Sequence, residues 1–301
     1  MKGPASIFDR ARRRRRRQRF AGGPDYLRRA IDDRLLDRLG DIRRPLGRVL
    51  VLGAQDGRLA AALRAWPGVE LVVTADELGR PHVPVDPDVL VDEELLPFAP
   101  GSFETVLSAM SLHWVNDLPG LLVQIRRSLV ADGLLLATMP GGESLAEARE
   151  CLLAAELEVT GGAGLRVSPM IDVRDAGALL QRAGFALPVA DVETLTVRYG
   201  EPLQLLLELR AMGESQALVE GAKTPLSRPV LARFAELYRQ RFADPDGRVR
   251  ARFDIVSMTG WTPHESQPQP LRRGSGEVSL AKAMGVPVEV LQGKAKRPGQ
   301  A

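Results

Sequence analysis

A single cysteine, Cys151, stands in 301 residues. It allows no internal disulfide and no thiolate zinc cluster, the pattern expected of a reducing compartment. No apolar run approaches the roughly 20 residues a helix needs to cross a bilayer. Residues 1–20 have no apolar centre, so no secretory leader is expected. The three histidines, His82, His113 and His264, are too scattered to define a metal-ligand set. Net charge is low, +3 from 41 basic and 38 acidic residues, which argues against a broad nucleic-acid surface. With 45% hydrophobic and 26% charged residues the chain has an ordinary globular composition. These features predict a cytoplasmic protein that holds no metal and no specific nucleic acid.

The most informative stretch is residues 48–76, RVLVLGAQDGRLAAALRAWPGVELVVTAD. Residues 49–52 are a short apolar run bounded by glycine, the pattern of a buried parallel strand. Gly53 and Gly57 bracket a tight turn, a helix follows to Trp66, and a second apolar run ends on Asp76. Strand, glycine turn, helix, strand and terminal acid make a nucleotide-binding half-sheet. Backbone N–H groups at the helix start can face an anionic or polar ligand, and the acid can accept from ribose hydroxyls. Glycine turns are also common in parallel α/β proteins that bind no nucleotide.

Residues 89–91 are a third apolar run ending on Asp92, Glu93 and Glu94; residues 103–109 form a fourth, and residues 134–139 a fifth after Asp132 and Gly133. Alternation with helices predicts an α/β class, a doubly wound and mainly parallel sheet. Asp172 caps a further helix that ends at Gly184, and residues 189–199 and 248–261 read as two more strands, the latter antiparallel at the sheet edge. Two helices within residues 202–242 lie between them and suit a lid over the ligand crevice. Arg198, Tyr199, Arg210 and Glu214 are candidates to face a substrate there, and equally ordinary surface.

Before the sheet, six consecutive arginines, Arg12, Arg13, Arg14, Arg15, Arg16 and Arg17, account for much of the basic pI. A solvated basic helix, a nucleic-acid arm and a transit peptide compete. Asp9 and the near absence of serine oppose the transit peptide. A contact with an acidic partner or with membrane headgroups is a further option. Leu27, Ile31, Leu35 and Leu39 recur every four residues, predicting an amphipathic helix that packs across the sheet. The expected organisation is a basic segment (1–45), a Rossmann-like core (46–200), a helical insertion (201–247), a last strand and tail (248–280) and a disordered end (281–301).

The glycine turn, the acids after strands two and three, and ADGLLLATMPGG at residues 131–142 resemble class I S-adenosylmethionine-dependent methyltransferases. IFDRARRRRRR at residues 7–17, VDEELLPF, LHWVNDLP, MGES and above all GWTPHESQPQPLRRGSGEVSL at residues 260–280 resemble one branch, the methyltransferase-like assembly factors of respiratory complex I. The malonyl-carrier-protein O-methyltransferases are a more distant likeness. The resemblance implies a seven-stranded sheet and S-adenosyl-L-methionine as cofactor. Gly53 and Gly57 would lie against its methionine and ribose, Asp76 would hold the ribose hydroxyls, and Asp92 and Glu93 would sit beside the adenine. Ser108 and the residues up to His113 would line the mouth. His113 is the candidate general base, and a packed histidine beside Trp114 is the competing reading.

The implied partner is a complex I subunit modified on an arginine, by methylation or hydroxylation; the location would be the bacterial cytoplasm, with contact to the inner membrane through residues 12–17. A carrier-protein methyltransferase and a non-catalytic assembly chaperone are the alternatives. The pattern departs from the family at Leu52, where an acid is usual, and at Gln55, where a glycine is usual. Both changes predict weakened cofactor binding, and the loss of one charge-assisted hydrogen bond costs about 10- to 100-fold.

Overall fold

The computed structural model describes residues 6–18, 26–54, 56–79 and 85–268. Gln55, His82 and every residue beyond 268, including the segment 281–301 expected to be disordered, lie outside them. The chain divides into two units, Met1–His264 and Glu265–Ala301. The first contains every element below.

Seven strands form one sheet in the order β3-β2-β1-β4-β5-β7-β6: β1 (Gly47–Leu52), β2 (Val69–Asp76), β3 (Val89–Leu90), β4 (Phe103–Ala109), β5 (Leu129–Gly141), β6 (Ala186–Tyr199) and β7 (Val249–Trp261). The first five run parallel, and β7 pairs antiparallel with both β5 and β6. The expected position of the last strand is therefore corrected: β7 lies inside and β6 takes the edge. Their burial patterns give the reason. β7 is buried along most of its length, whereas β6 alternates between exposed and half-buried positions, as an edge strand with one solvated face does.

The strand pleat sends alternate side chains to two cores. Val49 and Val51 join one apolar cluster, Leu50 and Leu52 the other. The first cluster includes α2 (Tyr26–Gly40), α3 (Arg58–Arg64), α5 (Ala146–Thr160), α7 (Pro202–Ala211) and α8 (Arg228–Phe242); the second includes α4 (Leu118–Ser128) and α6 (Val173–Arg182). On α2 the four residues at spacing of four are each at most 1% exposed, as the periodicity requires. Asp172 caps α6 by accepting from the Arg174 N–H. Helices α7 and α8 are the insertion between β6 and β7. No helix among the described residues is long and apolar enough to cross a membrane.

The arginine tract forms α1 (Arg10–Arg17), capped by Asp9, whose side chain accepts from the Arg12 N–H. It is not a uniformly solvated face. Arg13 and Arg17, one turn apart, are buried, while Arg14 and Arg15 point outward. Acids are what they are buried against.

Candidate active site

The carboxyl ends of β1, β2, β3 and β4 converge where open α/β sheets bind ligands. After β1, Gly53 adopts φ +73°, a left-handed conformation that glycine reaches without steric cost. A Cβ there would lie 2.5 Å from Ser111 Cβ and 3.7 Å from a Glu93 oxygen. Gly57, also left-handed, precedes α3, with Val85 across from it. Asp76 ends β2 and is 1% exposed; Glu93 follows β3 and is 5% exposed. Three expected residues, Gly53, Asp76 and Glu93, are thus brought into one cradle.

Two expected residues are not. Asp92 turns outward, where its carboxylate accepts from Arg10 at 2.5 Å and from the Glu94 N–H at 2.9 Å. Ser108 is fully buried within β4 and donates to the Leu52 carbonyl at 3.2 Å. The serine that meets the cradle is Ser111, which donates to Glu93 Oε1 at 2.8 Å. Strand pleating makes the distinction: Ser108 is paired across the sheet, whereas Ser111 lies beyond the strand end.

The cradle's carboxylates are held by α1. Arg17 Nη2 donates to both oxygens of Asp76, at 3.0 and 2.9 Å, and Arg17 Nη1 donates to Glu77 at 3.1 Å. Arg13 Nη1 donates to Glu93 Oε2 at 2.8 Å and lies 3.3 Å from Glu77. Burial pushes the Glu93 carboxyl up, but Arg13, Arg17 and Ser111 together outweigh it, and its pKa lies below the ordinary value. Arg17 moves further above its ordinary value: burial opposes its charge, and Asp76, Glu93 and Glu77 more than offset that. Along the sequence, Arg13 and Arg17 stand out only within the basic tract and Ser111 only within the stretch from Ser108 to His113; Glu77 does not stand out. The available signal was the spacing of four between the two arginines, which puts them on one helix face.

Beside the cradle, a short 3-10 turn (Leu112–Trp114) places His113 Nε2 3.0 Å from Glu214 Oε2, and the Trp114 indole N–H donates to the same oxygen at 2.9 Å. The side chains of His113 and Glu214 are 8% and 9% exposed, and His113 Nδ1 has no partner among the described residues. Both line a cavity of about 480 Å³ beneath α7 and α8, whose walls include Leu152, Leu206 and Leu209. Its volume suits a small molecule or a long side chain. Arg210 lines it too, whereas Arg198 pairs with Asp244 and Asp246 at the surface, and Tyr199 is buried against Tyr26. No group of three metal-ligating side chains occurs among the described residues.

A methyltransferase-domain family profile matches residues 15–188. Over 286 residues the chain is 37% identical to a zebrafish (Danio rerio) protein named "Arginine-hydroxylase NDUFAF5, mitochondrial", covering 92% of this chain and 89% of that one. The chain belongs to the arginine-hydroxylase NDUFAF5 family of methyltransferase-domain proteins. The human member is 37% identical over 291 residues, covering 92% of this chain and 83% of its own. A malonyl-[acyl-carrier protein] O-methyltransferase of Halorhodospira halophila is 34% identical over 249 residues, covering 78% of this chain and 81% of its own. Among solved structures, a putative methyltransferase from Bacillus halodurans matches with TM-score 0.52 at 17% identity, covering 77% of this chain and all of that one. YcgJ from Bacillus subtilis matches with TM-score 0.53 at 15% identity, covering 77% and 99%. These two likenesses concern the fold alone.

The methyltransferase domain of this NDUFAF5-family chain implies a sulfonium nucleoside as cofactor. The chemistry of the cradle fits one: Arg17 presents N–H donors to both Asp76 oxygens, as a ribose diol would present two O–H donors. Leu52 does not supply the family's acid; it packs among Ala75, Val91, Val106 and Leu112 in the second core.

Proposed function

We propose that the chain is an enzyme that binds S-adenosyl-L-methionine in this cradle and modifies an arginine of a protein client, a subunit of respiratory complex I. The observation that carries the reading is the pair of buried carboxylates, Asp76 and Glu93, at the strand ends beside a left-handed Gly53. Membership of a family whose relatives are named arginine-hydroxylases supports the substrate class. When bound, the cofactor supplies an electrophilic carbon on sulfur. Asp76 would accept from the ribose hydroxyls, Glu93 would accept from the adenine amine, and Gly53 would lie beside the methionine. Gly57 keeps its proposed place near the ribose; Asp92 and Ser108, facing elsewhere, are left out.

His113 is the proposed base. Glu214 orients it, the leucine-walled cavity that His113 lines receives the aliphatic stem of the client's arginine, and Nδ1, without a partner among the described residues, would accept a proton. A second reading, a non-catalytic assembly chaperone, draws support from the arginines seated on the cradle's acids and from Leu52 in place of the family's acid. Mass spectrometry of complex I subunits from wild-type and Asp76→Ala strains tests the choice. An arginine modified in the wild type and unmodified in the variant is expected. Client arginines unmodified in the wild type would leave the chaperone reading.

A further inference from the structure

We propose that α1 and the cofactor's nucleoside are alternative occupants of one cradle, so that α1 withdraws when the nucleoside binds and carries the change to the substrate cavity. This rests on the cofactor assignment above, and asks how that site is regulated.

The two occupants use the same atoms. Asp76 Oδ1 already accepts from Arg17 and from the Leu78 N–H, and Oδ2 accepts from Arg17. Glu93 divides its oxygens between Arg13 and Ser111. A ribose diol cannot take the Asp76 oxygens while the Arg17 guanidinium lies against both.

Helix α1 is built to be conditional. It has eight residues, RARRRRRR, seven of them arginine. An isolated helix shorter than about 12–15 residues is marginal in water. Like charges four apart, as at Arg12 and Arg16 or Arg13 and Arg17, weaken it further. Asp76, Glu77 and Glu93 supply the counter-charge that lets the helix form. When a neutral sugar and base occupy Asp76 and Glu93, two buried guanidiniums are left to share Glu77 alone, and the seat becomes unfavourable.

The same helix and the residues just before it are fastened to the loop that joins the inserted helices. The Asp9 N–H donates to the Ala217 carbonyl at 2.7 Å, the Val219 N–H to the Ile7 carbonyl at 2.9 Å, and Arg12 to the Leu218 carbonyl at 2.8 Å. Phe8 packs edge-on against Trp114 at 5.2 Å, and Arg13 lies 5.8 Å from the same ring. Gly213 sits against the Arg17 backbone, so close that an added Cβ would be 3.3 Å from Arg17 Cα. The next residue is Glu214, the partner of His113. Arg16, neighbour to Arg17, lines the cavity. One turn of helix therefore touches the cofactor cradle with Arg13 and Arg17 and the substrate cavity with Arg16. Filling the first site alters a wall of the second.

The test titrates S-adenosyl-L-homocysteine into the full chain by calorimetry, for the wild type, Arg17→Lys and Arg17→Gln. Emission from Trp114 is followed in parallel in a Trp66→Phe, Trp261→Phe background. The glutamine variant is expected to bind about 10- to 100-fold more tightly than the wild type, because no charge-assisted bond to Asp76 has to break. The lysine variant should fall between, and it stands in for the glutamine variant if circular dichroism shows that one unfolded. Trp114 emission should shift as the wild type saturates, since Phe8 and Arg13 leave the ring. Binding by the wild type with Trp114 emission unchanged, or variants that bind no more tightly, overturns the competition and leaves the cofactor assignment standing. No binding by any of the three proteins overturns both.

Discussion

His113 and Glu214, 101 residues apart in sequence, meet at 3.0 Å, with the Trp114 indole donating to the same carboxylate oxygen. Burial opposes ionisation of Glu214, but His113, Arg28 and Trp114 together hold its pKa below the ordinary value. An ionised carboxylate only accepts, so Nε2 carries the proton toward it and Nδ1 keeps its lone pair. The tautomer is directly measurable. In protein labelled with ¹⁵N-histidine and carrying His82→Gln and His264→Gln, the remaining ring, when neutral, is expected in the Nε2–H form. Glu214→Gln should mix the tautomers. As a base His113 contributes about 100-fold or more. His113→Gln should therefore slow client modification by that factor while leaving S-adenosyl-L-homocysteine affinity within about twofold. An Nδ1–H ring in the wild type would remove the base assignment.

Acid should destabilise the protein in part through the site. Glu93 and Glu214 both titrate below the ordinary glutamate value of 4.5 when folded. A depressed folded pKa contributes stability that is complete above pH 4.5 and is lost as pH falls through the folded value. Urea midpoints measured between pH 7 and pH 3 are expected to hold steady down to about pH 5 and then fall. Glu93→Gln should flatten that decline. It should also cost up to about 3 kcal/mol at neutral pH, since Arg13 would remain buried with only Glu77 beside it. An unchanged acid limb in the variant would show that Glu93 is not among the responsible groups.

Two glycines separate backbone strain from crowding. Gly101 is left-handed at φ +68° with nothing among the described residues within 4 Å of an added Cβ, whereas Gly53 at φ +73° would drive a Cβ into Ser111 at 2.5 Å. Gly101→Ala should therefore cost about 1 kcal/mol, the left-handed penalty alone. Gly53→Ala should cost about 3 kcal/mol, strain plus overpacking. Equal denaturation midpoints for the two variants would contradict the close approach of Ser111 to the β1 turn.

Phe8 fastens the start of α1. It is 5% exposed, clusters with Trp114, Ala217 and Leu218, and forms an isolated bridge with Leu218. Phe8→Ala should cost about 3 kcal/mol, the usual penalty for emptying a buried aromatic position. Hydrogen exchange should quicken first at Asp9 and Val219, whose N–H groups span the junction. Uniform exchange across the sheet as well would mean that Phe8 supports the whole fold and not α1 in particular.

Much of this architecture was legible along the chain because it depends on local pattern. A four-residue apolar run before Gly53 can bury itself only as a strand covered on both faces, and Leu27, Ile31, Leu35 and Leu39 can share only one helix face. Acids placed just after strands two and three had to emerge at the carboxyl edge of the sheet, where Asp76 and Glu93 indeed lie. Pattern does not specify what comes to meet those residues. The spacing of Arg13 and Arg17 gave them a common face, but whether that face met water or acid depended on how α1 docks, through contacts with residues 59 to 80 positions away. Glu214 reached His113 only because the inserted helices close over the end of β4, and β7 displaced β6 from the interior because its buried length needed partners on both sides. Periodicity fixes which way a side chain points within its own element; only packing across the sequence decides which charge it finds there.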